Sequence, residues 1–156
     1  MILESPVPTN QALGTPVRQF SVMLSNKAGA LTSLLSMLGS YSIVCVGVSM
    51  VDTQEVSIAR FIVSNPELTK ALLLERGIGF SVTEMIVVAL PYGATKLCYC
   101  LEALAQYNLN IDYLYPLFPL PKGYSMVALH CDDLPKARDI LLMAGFKSLC
   151  QEDISR

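Results

Sequence analysis

The 156-residue sequence has no cluster of lysine or arginine. Nucleic-acid binding needs a concentrated basic face to neutralise phosphates. A formal net charge of −2, with only 15% of residues charged, excludes that class. Long apolar runs are missing too. The longest runs from Ile43 to Val51 and is closed by Asp52, after about half of the ~20 residues that a membrane-spanning helix needs. No basic segment leading into an apolar one opens the chain, so no secretion signal is read. The protein is expected in the cytoplasm, away from membranes and nucleic acid.

Residues that carry chemistry are equally sparse. His130 is the sole histidine, and the five cysteines are Cys45, Cys98, Cys100, Cys131 and Cys150. An odd number of cysteines without a secretion signal argues against a disulfide framework. Cys98 and Cys100 sit two apart on a helical stretch and face different directions. His130 and Cys131 are adjacent on a strand and point to opposite faces. With no recognised ligand spacing, neither a metal nor a cofactor is expected, and the cysteines read as buried and inert. No nucleophile sits beside a base, and the carboxylates are scattered over turns and helix ends, so no catalytic residue is assigned and no enzyme is expected.

What the chain has is apolar mass: 53% of its residues, ample for a packed core. Residues 1–16 carry three prolines, show neither helical nor strand periodicity, and read as a flexible leader. Beyond them the sequence matches itself at an offset of 66 positions. Val22 and Leu24 fall on Val88 and Leu90; Leu31, Leu35 and Leu38 fall on Leu97, Leu101 and Leu104. Leu68, Lys70 and Ala71 fall on Leu134, Lys136 and Ala137, and Gly79-Phe80 falls on Gly145-Phe146. One offset without an insertion predicts two copies, over residues 17–84 and 85–156.

Each copy has the same local grammar. Gln19–Leu24 alternates as a half-buried strand, and Gly29–Ser40 carries Leu31, Leu34, Leu35 and Leu38 as one helical stripe. Val44–Val51 and Glu55–Val63 read as a hairpin around Asp52-Thr53-Gln54. Asn65-Pro66 starts a second helix with Leu68, Ala71 and Leu72 as its buried stripe, and Gly77 stops it. Gly79–Val87 closes the unit and runs without a linker into the next strand, Met85–Leu90, so the two read as one long bent strand. In the second copy, Thr95–Tyr107 is the first helix. Ile111–Phe118 and Tyr124–His130 form a hairpin around a proline-rich turn ending in Lys122-Gly123, and a helix follows Asp133 and ends at Gly145. The order βαββαβ predicts an α+β fold of two ferredoxin-like units, each an antiparallel sheet with both helices on one face. The bare faces of such apolar sheets need cover, from the other copy and then from a second chain, so a homodimer is expected. Tyr113, Tyr115 and Phe118 are assigned to such an interface, and Met37, Met50, Met85, Met126 and Met143 to core filling.

The informative segment is Ser25-Asn26-Lys27-Ala28-Gly29-Ala30-Leu31, between the first strand and first helix. A helix N-terminus offers free N–H groups to a carboxylate, Gly29 permits close approach, and Asn26 both donates and accepts. The plainer reading is that Asn26 caps the helix and Gly29 makes the turn. Within a βαββαβ unit, Asn26-Lys27-Ala28-Gly29-Ala30-Leu31 resembles the Asn/Asp-x-x-Gly-x-Leu signature of ACT domains. Asn108-Leu109-Asn110-Ile111 resembles the ACT segment entering strand two, often Gly-Val-Asn-Ile. The resemblance spans Val17 to Ile154 and identifies the chain with small stand-alone tandem-ACT proteins. It implies allosteric amino-acid binding between paired domains, without chemistry. It also implies a composite site of Asn26, Lys27, Ala28, Gly29, Ala30 and Leu31 with Asn110. Tyr92 and Thr95 stand where the second copy would carry the asparagine and glycine of the motif, and Val44 stands in place of Asn110, which implies a degenerate opposite site. The alternative is a structural regulatory subunit of an amino-acid biosynthetic enzyme, acting by protein contact without its own ligand.

Overall fold

The computed structural model describes residues 14–91, 93–119 and 125–155. Most of the leader (residues 1–13), Tyr92 and the turn containing Lys122-Gly123 lie outside the described residues. The elements are β1 (Val17–Ser25), α1 (Ala30–Ser40), β2 (Cys45–Asp52), β3 (Val56–Val63), α2 (Pro66–Glu75) and β4 (Phe80–Leu90). They continue with α3 (Ala94–Ala105), β5 (Ile111–Leu117), β6 (Ser125–Cys131), α4 (Leu134–Met143), β7 (Ser148–Leu149) and α5 (Gln151–Ile154). The order is βαββαβ twice, with β4 used by both units. Its first half pairs with β1 (Val17 opposite Met85), and its second half pairs with β6 and β7 (Ile86 opposite Leu129, Val87 opposite Leu149). The expected long strand is therefore real, and the sheet order is β2-β3-β1-β4-β6-β5 with β7 beside β4.

Alternation along these strands sorts side chains onto two faces. On one face of the first unit, Phe20, Val22, Ala59, Phe61 and Val63 meet Leu34 and Leu38 of α1 and Leu72 and Leu73 of α2. The second unit repeats this with Ile86, Val88, Val127 and Leu129 under Cys100, Leu104, Ile140 and Leu141. The opposite face supplies a third core, in which Val17, Val46 and Ile62 of the first unit pack on Met85, Val87, Tyr115, Leu117, Met126 and Ala128. The sheet thus curls on itself, and its two ends meet where the Phe118 N–H donates to the Val46 carbonyl at 2.8 Å. Gly47 lets the ends approach, because a Cβ there would run into the end of the Leu117 side chain and force it to shift. Each copy thus covers part of the other's bare face.

Several expectations need correction. The copies do not keep one offset. Cys45 pairs with Val63 and Ile111 with Cys131, so the second hairpin carries two more residues between those positions. The offset is 66 through β2 and becomes 68 from β3 onward. Gly145 therefore matches Gly77, not Gly79. Both have positive φ (67° and 87°), and the residues after them, Ile78 and Phe146, donate to Leu73 and Leu141 in the same helix-ending pattern. The buried stripe of α2 is Pro66, Thr69, Leu72 and Leu73, while Ala71 is exposed. Met85 and Met126 are core residues, but Met50 and Met143 are exposed at 44% and 74%. Tyr115 is buried in the inter-unit core with Tyr113 packed against it, whereas the Phe118 ring is exposed and only its backbone joins the units.

The closing strand of the second copy is only two residues long, because the chain turns into α5. Ile154 of α5 is fully buried in the third core, and the Gln151 amide donates to the Val63 carbonyl at 3.0 Å. Thr15 is tied to the same helix: its N–H and hydroxyl donate to the Glu152 carboxylate at 2.8 and 2.7 Å, and its carbonyl accepts from Gln151. These two bonds hold the Glu152 carboxyl down at about 2. Among the described residues, no helix is long and apolar enough to cross a membrane.

Candidate functional site: two uncapped helix starts

The second helix of each unit is closed by a side chain. Asn65 Oδ1 accepts from the Leu68 N–H and Asp133 Oδ1 from the Lys136 N–H, both at 3.1 Å, with a proline in the first turn. The first helices are built differently. The residue before α1 is Gly29, at φ 87°, and the residue before α3 is Gly93, at φ 59°; neither helix has a side-chain cap. A positive φ at both positions is what glycine tolerates and most residues do not. The plainer reading of Asn26 as a cap is therefore wrong.

Around α1, the chain leaves β1 through a tight turn in which the Lys27 N–H donates to the Ser25 carbonyl at 2.8 Å. Ala30 N–H makes a long 3.3 Å bond to Lys27, and Ser33 N–H bonds Gly29 at 2.9 Å. Between them, the Leu31 and Thr32 N–H groups have no backbone acceptor among the described residues. Asn26, Lys27, Ala28 and Gly29 are exposed, Ala30 and Leu31 partly buried, and Leu31 packs on the core of the first unit. The Asn26 side chain makes no hydrogen bond among the described residues. The result is a small cradle of free donors at the positive end of a helix, lined by an unengaged amide.

Asn110 is exposed just ahead of β5, as Val44 is ahead of β2. Val44 is fastened through its N–H and carbonyl to Ser64. No hydrogen bond joins Asn110 to the 26–31 loop. In the second copy, the offset of 66 keeps Thr95 at the Gly29 position, but the helix begins two residues earlier. Gly93 is the residue at the helix start, and Thr95 lies inside α3. Gly93 also lines an apolar recess of about 280 Å³ with Leu90, Leu97, Pro116 and Met126. A larger recess of about 450 Å³ opens between Val17, Met85, Arg138, Phe146 and Lys147.

The sequence reading missed a polar joint between the units. Gln19, fully buried, donates through Nε2 to the Tyr113 hydroxyl at 2.8 Å and accepts from the Tyr115 hydroxyl at 2.6 Å. The Tyr113 ring stacks on His130, which pairs with Asp112 at 2.8 Å, and the Arg60 guanidinium lies 4.0 Å from its centroid. A glutamine alternating with Phe20 and Val22 on a half-buried strand was the only hint. Burial holds the Tyr115 hydroxyl protonated well above the ordinary tyrosine range. Burial also pushes the Cys100 thiol up to about 11, and the Glu102 carboxylate raises the exposed Cys98. No thiol here is activated as a nucleophile. Among the described residues, no three potential metal ligands converge.

The family model for the ACT domain pair matches residues 15–156. Among solved structures, protein BT0572 from Bacteroides thetaiotaomicron is similar at 21% identity and a TM-score of 0.82, covering 92% of this chain and 98% of that one. The regulatory subunit of aspartate kinase from Thermus thermophilus, in a ligand-free form, is similar at 12% identity and a TM-score of 0.56, over 85% and 94% of the two chains. The aspartate kinase of Clostridium acetobutylicum is similar at 16% identity and a TM-score of 0.51, over 84% of this chain and 33% of that one. These likenesses concern the fold. No curated protein matches the sequence.

Proposed function

The chain belongs to the ACT domain pair family, and from that premise we propose that it is a non-catalytic regulatory module that binds an amino acid at the β1–α1 loop. The observation that carries this reading is the contrast in helix starts. Asn65 and Asp133 each take one first-turn donor of α2 and α4, the Leu68 and Lys136 N–H groups, whereas α1 keeps the Leu31 and Thr32 N–H groups without a backbone acceptor behind a positive-φ glycine. A ligand α-carboxylate would take those donors and the helix dipole. The free Asn26 carbonyl would accept from the α-ammonium group.

Asn110 completes the site in this proposal, with the loop and the asparagine brought together either within the chain or across a cytoplasmic homodimer. Ligand binding would then change assembly or contact with a biosynthetic enzyme. A thermal-shift screen of the twenty amino acids on the full chain tests this, with Asn26→Ala and Asn110→Ala alongside. A hydrogen bond to a charged group is worth ~1.5–3 kcal/mol, so each variant should weaken binding roughly 10- to 150-fold. No hit at millimolar concentration would favour the ligand-free structural subunit instead.

A further inference from the structure

The second unit covers the inner face of the first only part of the way. Along β1, Val17 and Gln19 are fully covered, Ser21 is half-buried, and Met23 is 67% exposed. The cover ends at one cross-strand row. Arg60 on β3 stands opposite Ser21 on β1 and Ser49 on β2. All three belong to the face away from the helices, since Phe20, Val22, Ala59, Phe61 and Val48 pack on the helix side.

Arg60 is held in an uncommon state. The residue is half-buried, and its guanidinium is laid against the Tyr113 ring at 4.0 Å. Among the described residues Arg18 pairs with Glu67 and Arg138 with Glu84, His130 hydrogen-bonds Asp112, and Arg60 takes part in none of these contacts. Stacking on an aromatic ring fixes the guanidinium plane without using its N–H donors. Directly opposed strand residues have Cβ atoms about 4.5–5.5 Å apart, which places the Ser21 and Ser49 hydroxyls on either side of Arg60. Neither hydroxyl has a hydrogen-bond partner among the described residues. One fixed fork flanked by two free hydroxyls is a recognition set for a carboxylate.

The next row along the same face is apolar. Met23 stands opposite Ile58, and Ile58 opposite Val51. Two residues along a strand span about 6.6 Å, so the near edge of this apolar row is within reach of the body of a small branched acid held on Arg60. We infer that the Arg60 row is a second binding site, separate from the β1–α1 loop, for a small carboxylate with an apolar body. The carboxylate sits on Arg60, Ser21 and Ser49, and the body lies over Ile58, Val51 and Met23. The site would lie on the first unit, with Tyr113 of the second unit holding Arg60 in place.

The test is calorimetric titration of the full chain with isovalerate and with its neutral isostere isovaleramide. Isovalerate should bind at least tenfold more tightly than the amide. Arg60→Met, which keeps the stem and removes the charge, should abolish that difference. Arg60→Lys should retain part of it, and Asn26→Ala should leave it unchanged. Far-UV circular dichroism confirms the fold of each variant, and sedimentation of the same samples reads the oligomer. Equal binding of acid and amide, no binding of isovalerate at 50 mM or so, or unchanged binding by Arg60→Met would each overturn the proposal. So would an Arg60→Met effect confined to dimer dissociation, since a carboxylate of a second copy would then be the occupant. Failure of amino-acid binding at the loop would leave this outcome unaffected.

Discussion

Replacing Tyr115 with phenylalanine removes one oxygen from the joint between the two units. That hydroxyl donates to Gln19 Oε1 at 2.6 Å, and Gln19 is 0% exposed. A made hydrogen bond contributes ~0.5–1.5 kcal/mol net, and an acceptor left buried and unpaired costs ~1–3 kcal/mol. Water cannot reach Gln19 without opening the curled sheet, so the larger range applies and about 2 kcal/mol is expected. For a chain of this size that lowers the melting temperature by roughly 4–8 °C. Urea denaturation followed by circular dichroism measures it directly, with the m-value unchanged if the chain still unfolds as one unit. The cycle with Gln19→Leu then isolates the pair. Removing both polar partners should recover at least ~0.5 kcal/mol relative to the sum of the single variants. A Tyr115→Phe cost below ~0.5 kcal/mol, or strict additivity, would refute the view that this network joins the units.

Other perturbations follow from the same structure. Gly47→Ala puts a Cβ against the Leu117 side chain at the seam and should cost ~1–3 kcal/mol by overpacking. Gly39→Ala, in open space on α1, should instead stabilise by ~0.4–1 kcal/mol in the same denaturation assay. In native protein at pH 8, mass-spectrometric labelling with a thiol reagent should modify exposed Cys98 before Cys100, whose thiol is buried and shifted up to about 11. Glu102→Gln should speed Cys98 further, because Glu102 raises that thiol. Glu152 is depressed from its ordinary 4.5 to about 2 by Thr15. Its contribution is whole above about 4.5 and is lost as pH falls through about 2. Hydrogen exchange should show the Thr15 amide released across that window and, in Glu152→Gln, already faster at neutral pH.

The parts of the fold legible in the sequence were those set by local chemistry. Asn65-Pro66 and Gly77 fix the ends of α2 through a side-chain cap, a preset φ and a positive φ, all short-range effects. The long β4 was legible because no breaker separates Phe80 from Leu90. The change of offset was not, because the two extra residues lie in a hairpin whose polar and proline content is that of any turn. In so apolar a chain, a wrong register still lines leucine up with leucine. The wrong register carried Gly79 onto Gly145, and Gly93 was passed over because α3 starts two residues earlier than α1 relative to its buried positions (Cys100 and Leu104 against Leu34 and Leu38). The loop Asn26–Leu31 could be singled out from its residues, but whether Asn26 capped α1 depended on a backbone angle at Gly29. The Gln19–Tyr113–Tyr115 joint was illegible for a different reason: its partners are more than ninety residues apart and meet only once the sheet has curled.

The central claim is that the open donors of α1 hold an amino-acid carboxylate. Backbone amide spectra of labelled protein, titrated with the amino acid that gives the largest thermal shift, test it most directly. The account predicts that the largest shifts fall on Leu31 and Thr32, with Asn26 and Asn110 side-chain amides moving at the same ligand concentration. Saturable shifts confined to other residues, with the amides of 29–32 unmoved, would contradict it.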